Sequence, residues 1–195
     1  MKTKNMDKKE KILAAAREIF FKKSFYEATM DDIAQISGIK KATIYYYFSS
    51  KIDLASQLLE ISVETIFEKI EKIIISKDNI KEKINTLSDY YINLLEKNSK
   101  IFIVMQRIGY DFMHKEKSKK KVNIFFEKLL EKQKKAGILF GDVILSSGRK
   151  VSGNIFLYSM IAAFGRVTFE AVSHGKKPKK EQLLAIREIF IASVK

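Results

Sequence analysis

The chain has no cysteine, a single proline (Pro178) and only 8 glycines in 195 residues. Without cysteine there is no disulfide framework and no thiol chemistry, which fits a reducing compartment such as the cytoplasm. So few helix breakers leave room for long helices throughout. No apolar stretch approaches the ~18–20 residues that cross a bilayer, and no signal-type run opens the chain, so no membrane partner is expected. The usual marks of an enzyme are missing too. His114 and His174 lie far apart in charged surroundings, and there is no paired-histidine metal motif, glycine-rich phosphate loop or G-x-S-x-G elbow. No catalytic residue, metal or cofactor is therefore expected. Acidic groups are in short supply: 23 against 37 basic ones, a net charge of +14. That excess suits a polyanion. Lysine is abundant along the whole chain, however, so charge supports general affinity and steering rather than a particular site.

The specific signal is in residues 29–48, TMDDIAQISGIKKATIYYYF. Thr29 is placed to cap a helix by accepting from the backbone N–H near Asp32, with Asp31 and Asp32 at the positive helix end. Ala34 is small where a second helix must cross closely. Gly38 follows four residues later, and glycine most readily takes the left-handed conformation that ends a helix. Ile39 and Ile44 anchor the next helix. Ala34, Gly38 and Ile44 stand at the fifth, ninth and fifteenth places of a unit starting at Met30, the small, glycine and branched positions of a helix-turn-helix.

The second helix of the unit breaks local rules. Lys40 and Lys41 sit at its N-terminus, where the macrodipole disfavours cations by ~0.3–1 kcal/mol each. Lys40 also takes the cap position that Ser or Asp would fill better. Phosphates beside those lysines would reverse the penalty, and violated preferences tend to mark function. Tyr45, Tyr46 and Tyr47 point about 100° apart in a helix, so one or two must be exposed. Exposed phenols suit phosphate hydrogen bonds and thymine-methyl contacts. Phe48 is expected to pack inward.

Residues 12–54, ILAAAREIFFKKSFYEATMDDIAQISGIKKATIYYYFSSKIDL, resemble the N-terminal domain of TetR-type transcriptional repressors. The shared pattern is an amphipathic helix followed by an aromatic, a Thr-capped helix, Ala, Gly-hydrophobic, a tyrosine-aromatic-Phe run and Ser-Lys. The resemblance implies base-edge contacts from Lys41, Ala42 and Tyr46, and backbone contacts from Thr29, Thr43, Tyr45, Tyr47 and Lys51. Two positions depart from the pattern. Ser24 replaces a frequent Gly, suggesting a corner that is less left-handed or slightly strained. Lys40 replaces Ser or Thr, so the operator sequence cannot be carried over.

The rest reads as helices, giving an all-α fold: a three-helix DNA-binding domain over residues 1–50, joined through a long fourth helix to a ligand-binding and dimerisation domain over 51–195. Residues 1–6 read as a basic tail. The first helix starts near Asp7, with Asp7 and Glu10 spaced as a capping pair. The fourth runs for about twenty residues from Ser50, about 30 Å long, as a lever on the head. Separate helices are expected over 79–96 and 100–113, with KEKSKKK (115–121) as a corner, then helices ending at Gly137, over 147–173 and over 179–194.

The last two helices, with Gly153, Ala162, Leu183, Ile186, Phe190 and Val194, are the expected homodimer surface, as the resemblance implies. Tyr91, Phe102, Met105, Gln106, Tyr110, Phe126, Phe156, Met160 and Phe164 are candidate ligand-pocket residues, since aromatics and methionine line apolar sites. Arg107 and Arg166 are expected to pair with Asp111 and Glu170 four residues on. The expected partners are double-stranded DNA, a second copy of the chain and an apolar small-molecule effector. The function expected is a homodimeric repressor on a palindromic operator, released by that effector. The alternative is an effector-independent structural DNA-binding protein of the same fold.

Overall fold

The computed structural model describes residues 7–114, 119–174 and 176–195, and only the backbone at residues 97–102, 106, 107, 110, 113, 114, 119–122, 172 and 173. The expected basic tail over 1–6 lies outside the described residues. In chain order the elements are α1 (Lys8–Lys22), α2 (Met30–Ser37), α3 (Lys41–Tyr47), α4 (Lys51–Ile75), α5 (Ile80–His114), α6 (Lys119–Phe140), β1 (Val143–Ile144), β2 (Lys150–Val151), α7 (Gly153–Ser173) and α8 (Lys180–Ala192). They group into two compact units, residues 1–62 with 100–126, and residues 63–99 with 127–195.

The first unit packs α2 against α1 and α3. Ile12, Ala16, Phe20, Phe25, Ile33, Ile44, Phe48 and Leu54 are buried, together with Val104, Ile108 and Phe112 from α5. Ile12, Ala16, Ile19 and Phe20 fall on one face of α1, as the helical period requires. Asp7 is the N-cap of α1 but makes no side-chain cap bond, so the expected Asp7–Glu10 capping pair is not formed.

The second unit buries Ile70, Ile74, Ile84, Leu87, Tyr91, Phe140, Phe156, Met160, Phe164 and Leu183. The two helices expected over 79–96 and 100–113 are one helix of 35 residues. The polar stretch at residues 97–99 contains neither Gly nor Pro, and an existing helix propagates through such residues at little cost. α4 is 25 residues long rather than twenty.

A second correction lies at residues 137–153. α6 continues past Gly137 to Phe140, and α7 starts at Gly153 rather than near 147. Here the ends of α6 and α7 touch. A Cβ on Gly137 would collide with Asn154, and one on Gly153 would collide with the carbonyl oxygens of Gly137 and Gly141. The chain between them forms an unexpected antiparallel hairpin pairing Val143 with Val151 and Ile144 with Lys150. The C-terminus extends this small sheet: Leu145 bridges to Val194, and Ser146 N–H donates to the Ser193 carbonyl at 2.8 Å. Among the described residues no helix is long and apolar enough to cross a membrane, and no group of three acidic, His or Cys side chains could hold a metal.

Candidate nucleic-acid interface

Thr29 begins α2 with a reciprocal cap. Its hydroxyl oxygen accepts from Asp32 N–H at 3.1 Å, and the Asp32 carboxylate accepts from Thr29 N–H at 2.9 Å. Lys23 donates to the other Asp32 oxygen at 2.9 Å. That lysine bond, followed by the Thr29 backbone and hydroxyl donors, holds the Asp32 carboxyl down at about 2. α2 ends at Gly38, with φ 66 and ψ 19, whose N–H donates to the Ala34 carbonyl at 3.0 Å. Ile33 and Ile44 are fully buried, while Ile39 is only half-buried.

The departure at Ser24 has a local explanation. Among the described residues no non-glycine residue has positive φ, so the corner is not left-handed. Ser24 and Glu27 instead bond reciprocally: Ser24 N–H donates to the Glu27 carboxylate at 2.9 Å, and Glu27 N–H donates to the Ser24 hydroxyl at 3.3 Å. This closes the turn after α1 without a left-handed residue.

α3 presents what the dipole disfavours. Lys40 is its N-cap without a side-chain cap bond, and no acidic residue lies in its first turn. Lys40, Lys41 and Ala42 are exposed and Thr43 is half-buried. Lys41 Nζ lies 2.7 Å from Asp31 Oδ2, and this bond raises the Lys41 pKa. Tyr46 is 85% exposed and Tyr45 46%, Tyr47 is half-buried with its ring edge-on to Tyr46 at 5.4 Å, and Phe48 is fully buried. A capped helix, a glycine corner and a second helix with exposed ammonium and phenol groups have the geometry of a DNA-reading motif.

Residues 12–58 match the family model for bacterial regulatory proteins, tetR family. The transcriptional regulator SAR0097 of Staphylococcus aureus is 29% identical over 162 residues, covering 80% of this chain and 76% of that protein. The S. aureus regulator IcaR, a negative transcriptional regulator of the biofilm operon icaADBC, is 38% identical over 71 residues, 36% of either chain. The transcriptional regulator FadR of Bacillus subtilis, solved in complex with stearoyl-CoA, matches the fold with a TM-score of 0.71 at 19% identity, over 95% of this chain and 99% of that one. Residues 12–58 thus form a tetR-family regulatory domain. The match spans less than half the length of some curated relatives, IcaR among them. The all-α architecture expected from sequence is that of the solved structures it matches, and the family and the relatives are transcriptional regulators, not enzymes.

Within this tetR-type domain Lys51 stands apart from the other expected DNA contacts. Its ammonium donates to the Ala28 carbonyl at 2.6 Å and lies 4.6 Å over the Phe25 ring. Desolvation lowers its pKa, although the Asp111 and Asp32 charges oppose that. The lysine thus ties down the corner between α1 and α2. Asp111 of α5, expected to pair with Arg107, does the same from the other side. It accepts Phe25 N–H at 2.9 Å, while Tyr26 OH donates to the Asp111 backbone carbonyl at 3.2 Å. Phe25 and Phe112 meet edge-on at 5.2 Å. Sequence reasoning missed this bond because no local pattern reports a partner 86 residues away.

The candidate ligand residues fall in both units. In the second unit Tyr91 stacks on Phe164 at 5.6 Å, Phe156 lies between Phe140 and Phe190, and Met160 is fully buried. Burial pushes the Tyr91 hydroxyl well above its usual range. In the first unit Met105 and Phe126 are half-buried. The side chains of Phe102, Gln106, Tyr110 and Arg107 lie outside the described ones. A cleft of about 280 Å³ opens at the α7–α8 corner, lined by Val167, Glu170, Ala171, His174, Lys176, Lys177, Lys179 and Gln182. None of these was a sequence candidate.

The residues expected at a dimer surface divide in two. Leu183, Ile186 and Val194 are buried within the subunit, and Gly153 serves the contact between α6 and α7. Phe190 is half-buried against Phe156, and Ala162 is exposed. The exposed face of α7 carries Ile155, Ser159, Ala162, Arg166 and Phe169, at alternating spacings of four and three. Ile189 of α8 is 65% exposed.

Proposed function

We propose that the protein is a homodimeric repressor that binds a palindromic operator in the cytoplasm and is released by an apolar, acyl-type effector. The observation that carries the reading is Tyr46: a tyrosine 85% exposed at a tip that also holds two lysines has no part in the core. In this reading Lys41, Ala42 and Tyr46 read base edges. Thr29, Lys40, Thr43, Tyr45 and Tyr47 hold the phosphate backbone. A single head with a seven-residue recognition helix binds weakly. Two heads on half-sites one turn (~34–36 Å) apart combine their affinities. In this reading Ile155, Ala162 and Phe169 on the exposed α7 stripe, with Ile189, supply apolar contacts for the second copy.

Residues 1–50 act as the reading head and residues 51–195 receive the partner and the effector. α4 and α5 each contribute residues to both compact units, a continuous covalent route by which a ligand bound in the body can bias the heads. IcaR is a negative regulator and the B. subtilis FadR was solved with stearoyl-CoA. Both support the repressor-with-acyl-effector reading. A coupling of ~1–3 kcal/mol would change operator affinity by several-fold to about a hundredfold.

The test is an anisotropy titration of the full chain on the DNA upstream of its own gene, with and without stearoyl-CoA. Saturable binding weakened at least fivefold by the acyl-CoA supports the reading. The effector-free alternative is favoured by the close stacking of Tyr91 on Phe164. It predicts the same DNA binding, unmoved by acyl-CoA or any lipophilic ligand, and no thermal shift with them.

A further inference from the structure

We propose that Asp31 is a specificity-determining residue of the DNA-reading surface: its carboxylate holds the Lys41 ammonium away from phosphates, so that Lys41 adds affinity only where a base acceptor meets it. The inference rests on the reading of α3 as the DNA probe.

Asp31 stands in the first turn of α2, and its side chain is 70% exposed. It is not part of the α2 cap, which Thr29 and Asp32 complete without it. Its Oδ2 instead reaches across the turn to Lys41 Nζ, ten residues on, at 2.7 Å. An ion pair this exposed contributes little to folding, so its consequence lies where Lys41 acts. The neighbouring Lys40 carries no ion pair among the described residues and remains available to any phosphate. Of two adjacent lysines at the N-terminus of α3, one is restrained by a carboxylate and the other is not.

A lysine held this way behaves differently on the two kinds of DNA. On arbitrary sequence the only strong acceptor is a phosphate. Reaching it means exchanging Asp31 for another anion, which gains little and leaves an unpaired carboxylate facing the polyanion. At the correct site an ammonium has three donors. One can stay on Asp31 while the others meet an acceptor pair such as guanine O6 and N7. Asp31 thus supplies the repulsive element that a difference of affinities requires, and it also fixes the Lys41 rotamer.

The experiment compares the full-length wild type with Asp31→Asn, Asp31→Glu, Lys41→Ala and the double variant Asp31→Asn/Lys41→Ala. Each is titrated on a duplex selected from a random pool by the wild type, and on a scrambled duplex of equal length, from 50 to 200 mM salt. Asp31→Asn is expected to bind the scrambled duplex several-fold more tightly. Its salt slope should steepen by about 0.9, an added ~3–4-fold loss across that range, and its preference for the selected duplex should fall several-fold. Asp31→Glu should restore the wild-type preference. In the Lys41→Ala background Asp31→Asn should change neither slope nor preference. An Asp31→Asn variant with wild-type slope and preference overturns the inference while the DNA-binding reading stands. An equal effect of Asp31→Asn in both backgrounds also overturns it, because Asp31 would then act through its charge and not through Lys41. If the wild type selects no sequence at all, the DNA-binding reading fails and this inference fails with it.

Discussion

The Asp111 carboxylate accepts the backbone N–H of Phe25 at 2.9 Å, so a side chain of α5 completes the corner between α1 and α2. Phe25 is buried, and its N–H would otherwise have to be satisfied away from water. Lys51 satisfies the same corner from the opposite polarity through the Ala28 carbonyl. The reading head is thereby braced by Lys51 and Asp111, which lie outside residues 1–50.

Asp111→Ala is therefore expected to destabilise the full-length protein by about 1–2 kcal/mol, the cost of orphaning a buried donor, lowering the melting temperature by roughly 2–8 °C. Asp111→Asn keeps an acceptor oxygen and should lose less. Thermal unfolding followed by circular dichroism checks both, and equal melting of all three proteins would contradict the role given to Asp111.

Tyr46→Ala should behave in the opposite way. An 85% exposed side chain contributes little to folding, so stability should change by no more than ~0.5 kcal/mol. Binding to the selected duplex should weaken by ~10-fold or more, the scale of a lost base contact. A large fall in melting temperature with intact DNA binding would place Tyr46 in the core rather than at the interface.

The α2 cap has a pH signature. The Asp32 carboxyl sits at about 2 in the folded protein against an ordinary 3.8. Its folded pKa is depressed, so its stabilisation is fully present above about 3.8 and is lost as pH falls through about 2. The gap in melting temperature between wild type and Asp32→Asn, present at pH 5, should close between pH 4 and pH 2. Thr29→Ala removes the other half of the cap and should cost about 1 kcal/mol at neutral pH.

Gly153→Ala tests the close approach of α6 and α7. The added Cβ would meet the carbonyl oxygens of Gly137 and Gly141, and forcing the helices apart should cost about 1–3 kcal/mol. By contrast, Ile155→Lys with Ile189→Lys should leave the subunit fold intact and shift sedimentation from dimer to monomer. A dimer that survives this double change would move the pairing surface elsewhere.

What could be read from the sequence was what local rules encode. The Thr29 cap, the Gly38 corner, the buried Ile44 and Phe48 and the exposure of Tyr46 all follow from neighbours within one or two turns. The bonds of Lys51 are not legible there, because a Ser-Lys pattern marks the position but says nothing of the Tyr26 and Ala28 carbonyls that accept from the lysine. The contact of Gly153 with the end of α6 is hidden too, because smallness signals close packing without naming the partner. The hairpin over Val143–Val151 was hidden by two-residue strands too short to show alternation. The β-branched pair Val143 and Ile144 ahead of Ser146, Ser147 and Gly148 is its only trace.

The central claim is that α3 reads a defined sequence from both halves of a symmetric site. Its most direct test is a hydroxyl-radical footprint of the full-length protein on the DNA upstream of its own gene, run beside Tyr46→Ala. The account predicts two protected half-sites related by a dyad, about one helical turn apart, both lost in the variant. Uniform, salt-sensitive protection with no dyad, unchanged by the variant, would contradict it.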